Sequence, residues 1–162
     1  SLIDNTVNRN QNFITIDRGS IDGLAEGMCV YESAGAVGVI YKVSRHYALV
    51  MPLINTNSNI SCKIRSKDSF GFLKWDGDDV HYSLMTDLPS RSGVQVGDTV
   101  ETSGFSSVFP KGIPVGVVRR VRESDASSPE VMVELAVDFS RLQFVYVGTD
   151  AVSAELSELT SE

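Results

Sequence analysis

Gly97–Gly116 reads GDTVETSGFSSVFPKGIPVG. Gly97-Asp98 opens a short strand over Thr99–Thr102. Ser103-Gly104 breaks it, because glycine tolerates the positive φ of a tight turn. Pro110-Lys111-Gly112 fits a type I turn, with proline second and glycine fourth. Ile113 precedes Pro114 and is pushed to an extended conformation, so a second strand follows. Between the two strands lie Phe105 and Phe109, two large aromatics on a Gly/Ser/Pro loop. Such a loop either folds back over a core or meets a partner. Phe105, Phe109, Pro110, Ile113 and Pro114 are therefore the candidate residues for a protein–protein interface or a barrel-junction loop, and one of the two phenylalanines is expected to plug the junction or a barrel end.

The same grammar recurs along the chain. Phe13–Asp17, Met28–Glu32, Ala36–Ser44, Tyr47–Ile54, Ile60–Arg65, Phe70–Trp75, His81–Asp87, Ile113–Arg122, Glu130–Val137 and Gln143–Gly148 read as strands, punctuated by Gly, Asn, Asp or Pro. In Ala36–Ser44, Val37, Val39, Tyr41 and Val43 share one face. Tyr47–Ile54 is apolar on both faces and reads as central, with Pro52 at an exposed or edge end. If Ile113–Arg122 and Glu130–Val137 pair as a hairpin, Arg122 falls opposite Glu130. No segment before the tail has a 3.6-residue period. The class is all-β, with two small β-barrel subdomains of about five to six strands each. A weak echo, G-x3-G-x2-V followed by G-V-x3-V, starts at Gly23 and again at Gly93.

Two divisions of the strands fit. In the nested one, 12–35 plus 88–148 form the first barrel and 36–87 a second barrel inserted into it. In the tandem one the cut falls near residue 80. The nested division is preferred because it gives each barrel enough strands to close. Residues 1–11 are polar and read as a linker, and 149–162, rich in Ser and Glu, as a flexible tail.

Composition sets bounds. Of 162 residues, 42% are hydrophobic and 22% charged, the balance of a chain that buries a core. The net charge of −7 argues against nucleic acid or an anionic membrane as partner. No apolar run reaches the ~20 residues of a membrane helix. The chain starts at Ser1 without Met and reads as a fragment of a longer protein.

Chemistry has few carriers. Cys29 and Cys62 have no metal-type spacing, and Cys62, alternating with Ile60 and Ile64, reads as a small buried hydrophobe; a single disulfide stays open. His46 and His81 are the only histidines, both placed at turns or strand ends. Asp76, Asp78 and Asp79 resemble the start of a calcium loop but lack its later ligands. No phosphate-binding loop or dinucleotide fingerprint occurs. The residues thus imply no enzyme and no cofactor, and a binding scaffold instead.

One family joins these pieces. Asp17–Gly23, Gly27-Met28, Gly35–Gly38, Gly97-Asp98, Thr102–Gly104 and above all Phe109–Gly116 (FPKGIPVG) resemble the rod shape-determining MreC family over residues 12 to 148. The resemblance implies an extracytoplasmic, periplasmic two-barrel region, joined in the full-length protein to an N-terminal membrane helix through a coiled coil, with Leu2-Ile3 a remnant of that junction. It implies a non-catalytic scaffold of the cell-elongation complex that builds lateral wall. Its partners would be the class B penicillin-binding protein of elongation, MreD, MreB through the membrane, and further copies of itself as a dimer or filament. Two alternatives come from the residues alone: a degenerate trypsin-like two-barrel hydrolase using His46 or His81, and a cell-wall glycan- or peptide-binding module using Trp75, Tyr82 and Phe72.

Overall fold

The computed structural model describes residues 2–6, 11–105, 108–124 and 127–148. Twelve strands follow in order: β1 (Leu2–Asn5), β2 (Ile14–Ile16), β3 (Cys29–Glu32), β4 (Gly35–Val43), β5 (Ala48–Pro52), β6 (Ile60–Ile64), β7 (Phe70–Lys74), β8 (Tyr82–Thr86), β9 (Thr99–Thr102), β10 (Pro114–Ser124), β11 (Ser127–Leu135) and β12 (Tyr146–Gly148). Two single 3-10 turns, Ser20–Asp22 and Phe139–Arg141, are the only helical pieces among the described residues. The all-β class is what the structure has.

The strands form two sheets. One is a closed barrel in the order β10-β11-β8-β7-β6-β9, the other a six-stranded sheet in the order β1-β2-β5-β4-β3-β12. The barrel strands are contiguous in sequence and lie between β5 and β12 of the other sheet. This differs from the expected division. β4 and β5, placed by the sequence in a unit 36–87, belong to the six-stranded sheet. β9, β10 and β11, placed in the first barrel, belong to the closed one. Alternation tells which face of a strand is buried but not which strand it will pair with. The chain changes sheets at the polar turn Asn55–Asn59, whose residues have the composition of any other turn.

Leu2–Asn5, expected as linker, pairs with β2 antiparallel. Residues 7–10 and the tail 149–162 lie outside the described residues. The last two strands are shorter or shifted relative to expectation, because a 3-10 turn capped by Asp138 intervenes before β12. β5 is central, hydrogen-bonded to both β2 and β4, and Pro52 ends it opposite Gly38, past the last partner in β2.

Ile14, Ile16, Val30, Val37, Ile40 and Val50 pack the six-stranded sheet. Ile64, Leu73, Met85, Val100, Val118 and Val133 fill the barrel, and all belong to one hydrophobic cluster. In β4 the expected face is broken: Val37 is fully buried but Tyr41 is exposed beside Phe13. A bulge between Ile40 and Lys42 shifts the alternation there. The β10–β11 hairpin has Arg122 opposite Glu130, at 3.7 Å between exposed side chains.

One close approach ties sheet to barrel. A Cβ on Gly35 would lie 2.3 Å from the Pro114 carbonyl oxygen, so β4 approaches β10 as closely as glycine alone permits. Within the six-stranded sheet, Asn12 and Asn55, both fully buried, extend the β2–β5 pairing up to the turn where the chain leaves for the barrel. Asn12 Nδ2 donates to the Ile54 carbonyl at 2.7 Å, and Asn55 Nδ2 to the Asn12 carbonyl at 2.8 Å.

Candidate contact loop on the barrel

The loop between β9 and β10 contains four of the five residues singled out by sequence, and the fifth, Pro114, begins β10. Its two ends are clamped by Thr102, which is fully buried. The Thr102 hydroxyl donates to the Pro110 carbonyl at 2.6 Å and accepts from the Ile113 N–H at 2.9 Å. The Gly112 N–H donates to the Thr102 carbonyl at 3.0 Å. At the other turn, Ser103 Oγ accepts the Phe105 N–H at 3.1 Å and lies 2.7 Å from Ser61 Oγ. Gly104 takes φ +78°, and a Cβ there would meet the Lys111 Cβ at 3.0 Å. Glycine thus lets the two limbs of the loop touch.

The five residues divide. Phe109 is 3% exposed and belongs to the core. Pro114 supplies the carbonyl that packs on Gly35, and half-buried Ile113 lies against the core. Pro110 is exposed. Phe105 is 70% exposed, its ring centroid 4.5 Å from that of Phe70 on β7. Phe109, Ile113 and Pro114 therefore hold the loop, while Phe105 and Pro110 are presented by it.

Beneath Phe105 lies a set of residues that sequence reading missed. Lys63 and Glu101, opposite each other on β6 and β9, are 6% and 7% exposed. Glu101 accepts from Arg65 Nε at 2.8 Å and lies 3.9 Å from Lys63 Nζ. Lys63 Nζ lies 5.8 Å from the Phe70 ring centre. Alternation put Lys63 on the polar face of its strand, but no local pattern says that this face is covered. Nearby, Lys67 Nζ donates to Asp98 at 2.9 Å and the Gln95 N–H donates to the same oxygen at 2.8 Å. Burial alone would raise the Asp98 carboxyl; these hydrogen bonds outweigh it and hold the group below the usual carboxylate range. The result is a pre-formed aromatic knob, Phe105 on Phe70 with Phe72 40% exposed on the same strand, over a charged support.

The other candidates have plainer settings. His46 and His81 are exposed, and among the described residues no hydrogen bond joins either imidazole to a serine hydroxyl. Trp75 is 4% exposed, with Nε1 donating to the Asp79 carbonyl at 2.8 Å, so its faces are closed to a sugar ring. Cys29 and Cys62 are both buried, and no disulfide joins them. Among the described residues no group of three His, Cys, Asp or Glu is placed to hold a metal ion, and no helix is long and apolar enough to cross a membrane.

A closed barrel set into a six-stranded sheet, with a braced aromatic loop near their junction, defines an all-β module of two sheets. The chain belongs to the rod shape-determining MreC family, whose barrel-core model matches residues 2–149. It is 31% identical over 130 residues to the cell shape-determining protein MreC of Streptococcus pneumoniae, covering 77% of this chain and 48% of that protein. The crystal structure of MreC from Pseudomonas aeruginosa superposes with a TM-score of 0.84 at 23% identity, over 91% of this chain and 96% of that one. A solved complex between a penicillin-binding protein (PBP2) and MreC from Helicobacter pylori contains a chain of the same fold, with a TM-score of 0.69 at 16% identity over 83% of this chain and 85% of that one. The chain spans 28% to 50% of the length of the curated relatives it matches.

Proposed function

We propose that this chain is the extracytoplasmic, contact-making part of a non-catalytic scaffold for lateral cell-wall synthesis, anchored in the full-length protein by an N-terminal membrane helix. It binds the class B penicillin-binding protein of elongation. Through the rest of the protein it connects to MreD and, across the membrane, to MreB, and it self-associates. The observation that carries the reading is Phe105: a large apolar side chain held out by a loop whose own hydrogen bonds and buried Phe109 fix its position. Exposed aromatics on rigid supports are the usual centres of protein interfaces, because they bring area without much side-chain entropy to lose. Family membership and the penicillin-binding protein in the Helicobacter pylori complex support the choice of partner.

The test is Phe105→Ser, with binding to the purified partner ectodomain followed by calorimetry and self-association by light scattering. Binding or self-association is expected to weaken by about tenfold or more, while stability changes by less than about 1 kcal/mol. Unchanged affinity in both assays removes the loop from the interface.

A further inference from the structure

The barrel has a second shaped surface away from the aromatic loop. A groove runs along its outer face over β8, β11 and β10. One end is a cleft of about 360 Å³ and the other a cleft of about 280 Å³, with Leu84 lining both. The floor between them is apolar: Tyr82, Leu84 and Met132, all half-buried, on a face where a closed barrel could present polar side chains to water.

The walls of the larger cleft differ in charge. The β7–β8 turn brings Asp76, Asp78 and Asp79, all exposed, and β10 brings Arg119 and Arg120. Arg119 is paired with Glu134, and farther along the groove Arg122 with Glu130. The three aspartates hold no ion pair among the described residues. The Asp76 carboxylate accepts the Asp78 N–H at 3.1 Å, and the Asp79 carboxylate the His81 N–H at 2.8 Å. Among the described residues that line the cleft, Arg120 is the cation without a carboxylate partner, against three carboxylates. Lys74, on β7, stands outside the lining. A metal ion is a poor fit, since no three of these groups converge. The excess negative charge here has the sign of the whole chain at −7, which steers cations toward it.

We infer that this groove docks an extended, lysine- or arginine-bearing segment of a protein partner. Its cations lie against Asp76, Asp78 and Asp79, and an apolar side chain between them rests on Leu84 and Met132. The groove is centred on β8 and β11, whereas Phe105 lies over β7, so the two surfaces can be tested apart.

The test uses the full chain and two blocked pentapeptides, one alternating lysine with leucine and one alternating glutamate with leucine. Binding is read from nitrogen–proton NMR signals of Tyr82 and Leu84 and from the indole N–H of Trp75, the chain's only tryptophan, which is bonded to the Asp79 carbonyl. The lysine peptide is expected to shift these signals saturably, and less as salt is raised. Asp76→Asn with Asp78→Asn keeps the turn's acceptor oxygens and is expected to weaken binding about fivefold or more. Leu84→Ser is expected to weaken it without changing the salt dependence. The inference is overturned if neither peptide gives saturable shifts, if the glutamate peptide binds as well, or if the double asparagine variant binds like the parent.

Discussion

Phe105 and Phe109 stand four positions apart on one loop and have opposite fates, and the difference is set by what each can reach. Phe109 lies in the core at 3% exposure. Phe109→Ala would lose that burial and leave a cavity, so a loss of about 3–5 kcal/mol is expected in urea unfolding. The same measurement on Phe105→Ala should show little, because that ring is solvated on most of its surface. Cys62 makes a different residue-scale prediction. It sits inside the barrel with its thiol against the Ile60 carbonyl. Burial pushes its pKa from 9.0 up to about 12, a backbone hydrogen bond opposing the rise. Between those values the unfolded chain has lost the proton and the folded one keeps it, so stability falls as pH rises through this window. Below pH 9 the contribution is fully present. Unfolding followed from pH 8 upward should show the parent losing stability faster than Cys62→Ala, a variant less stable at neutral pH but without this thiol. Parallel curves for the two proteins would show that Cys62 titrates as if exposed.

At the scale of elements, β4 and β10 make the contact on which the loop stands. Gly35 lies on β4 where any Cβ would run into the Pro114 carbonyl at 2.3 Å, a backbone atom that cannot step aside. Gly35→Ala should therefore lower the melting temperature, and because Pro114 begins β10 it should also weaken partner binding although no contact residue is altered. A Gly35→Ala protein with unchanged melting temperature and affinity would mean that the two elements can part without cost. Elements were the most legible part of the sequence. The β10–β11 hairpin followed from two alternating runs joined by a polar turn, and Arg122 does face Glu130. Tyr41 went astray because β4 carries two register shifts, one at Val37 against β3 and one at Tyr41 against β5, and a bulge leaves no mark on composition. Lys63 and Glu101 went unseen for another reason: burial of a charged pair is a property of the fold rather than of the strand.

The whole molecule has an inserted barrel, and its boundaries carry the last prediction. Every pairing of β6 to β11 is made within 60–135, and closure of the barrel by β9 against β10 leaves no sheet edge exposed. Its interior, from Cys62 through Val133, is likewise contributed from inside that range. The fragment 57–137 should therefore fold alone, giving a dispersed amide spectrum and a cooperative thermal transition. It should be less stable than the full chain, since it lacks the Gly35–Pro114 contact. The fragment 36–87, a unit by strand count alone, contains β4 and β5 without β2 and β3, and β6 to β8 without β9 and β11. It should not fold, because most of its strands would keep open edges and half of each core would be missing. A collapsed 57–137 would show that core formation in the barrel depends on the six-stranded sheet and that the two sheets are one folding unit, and a folded 36–87 that its strands do not need their partners outside that range.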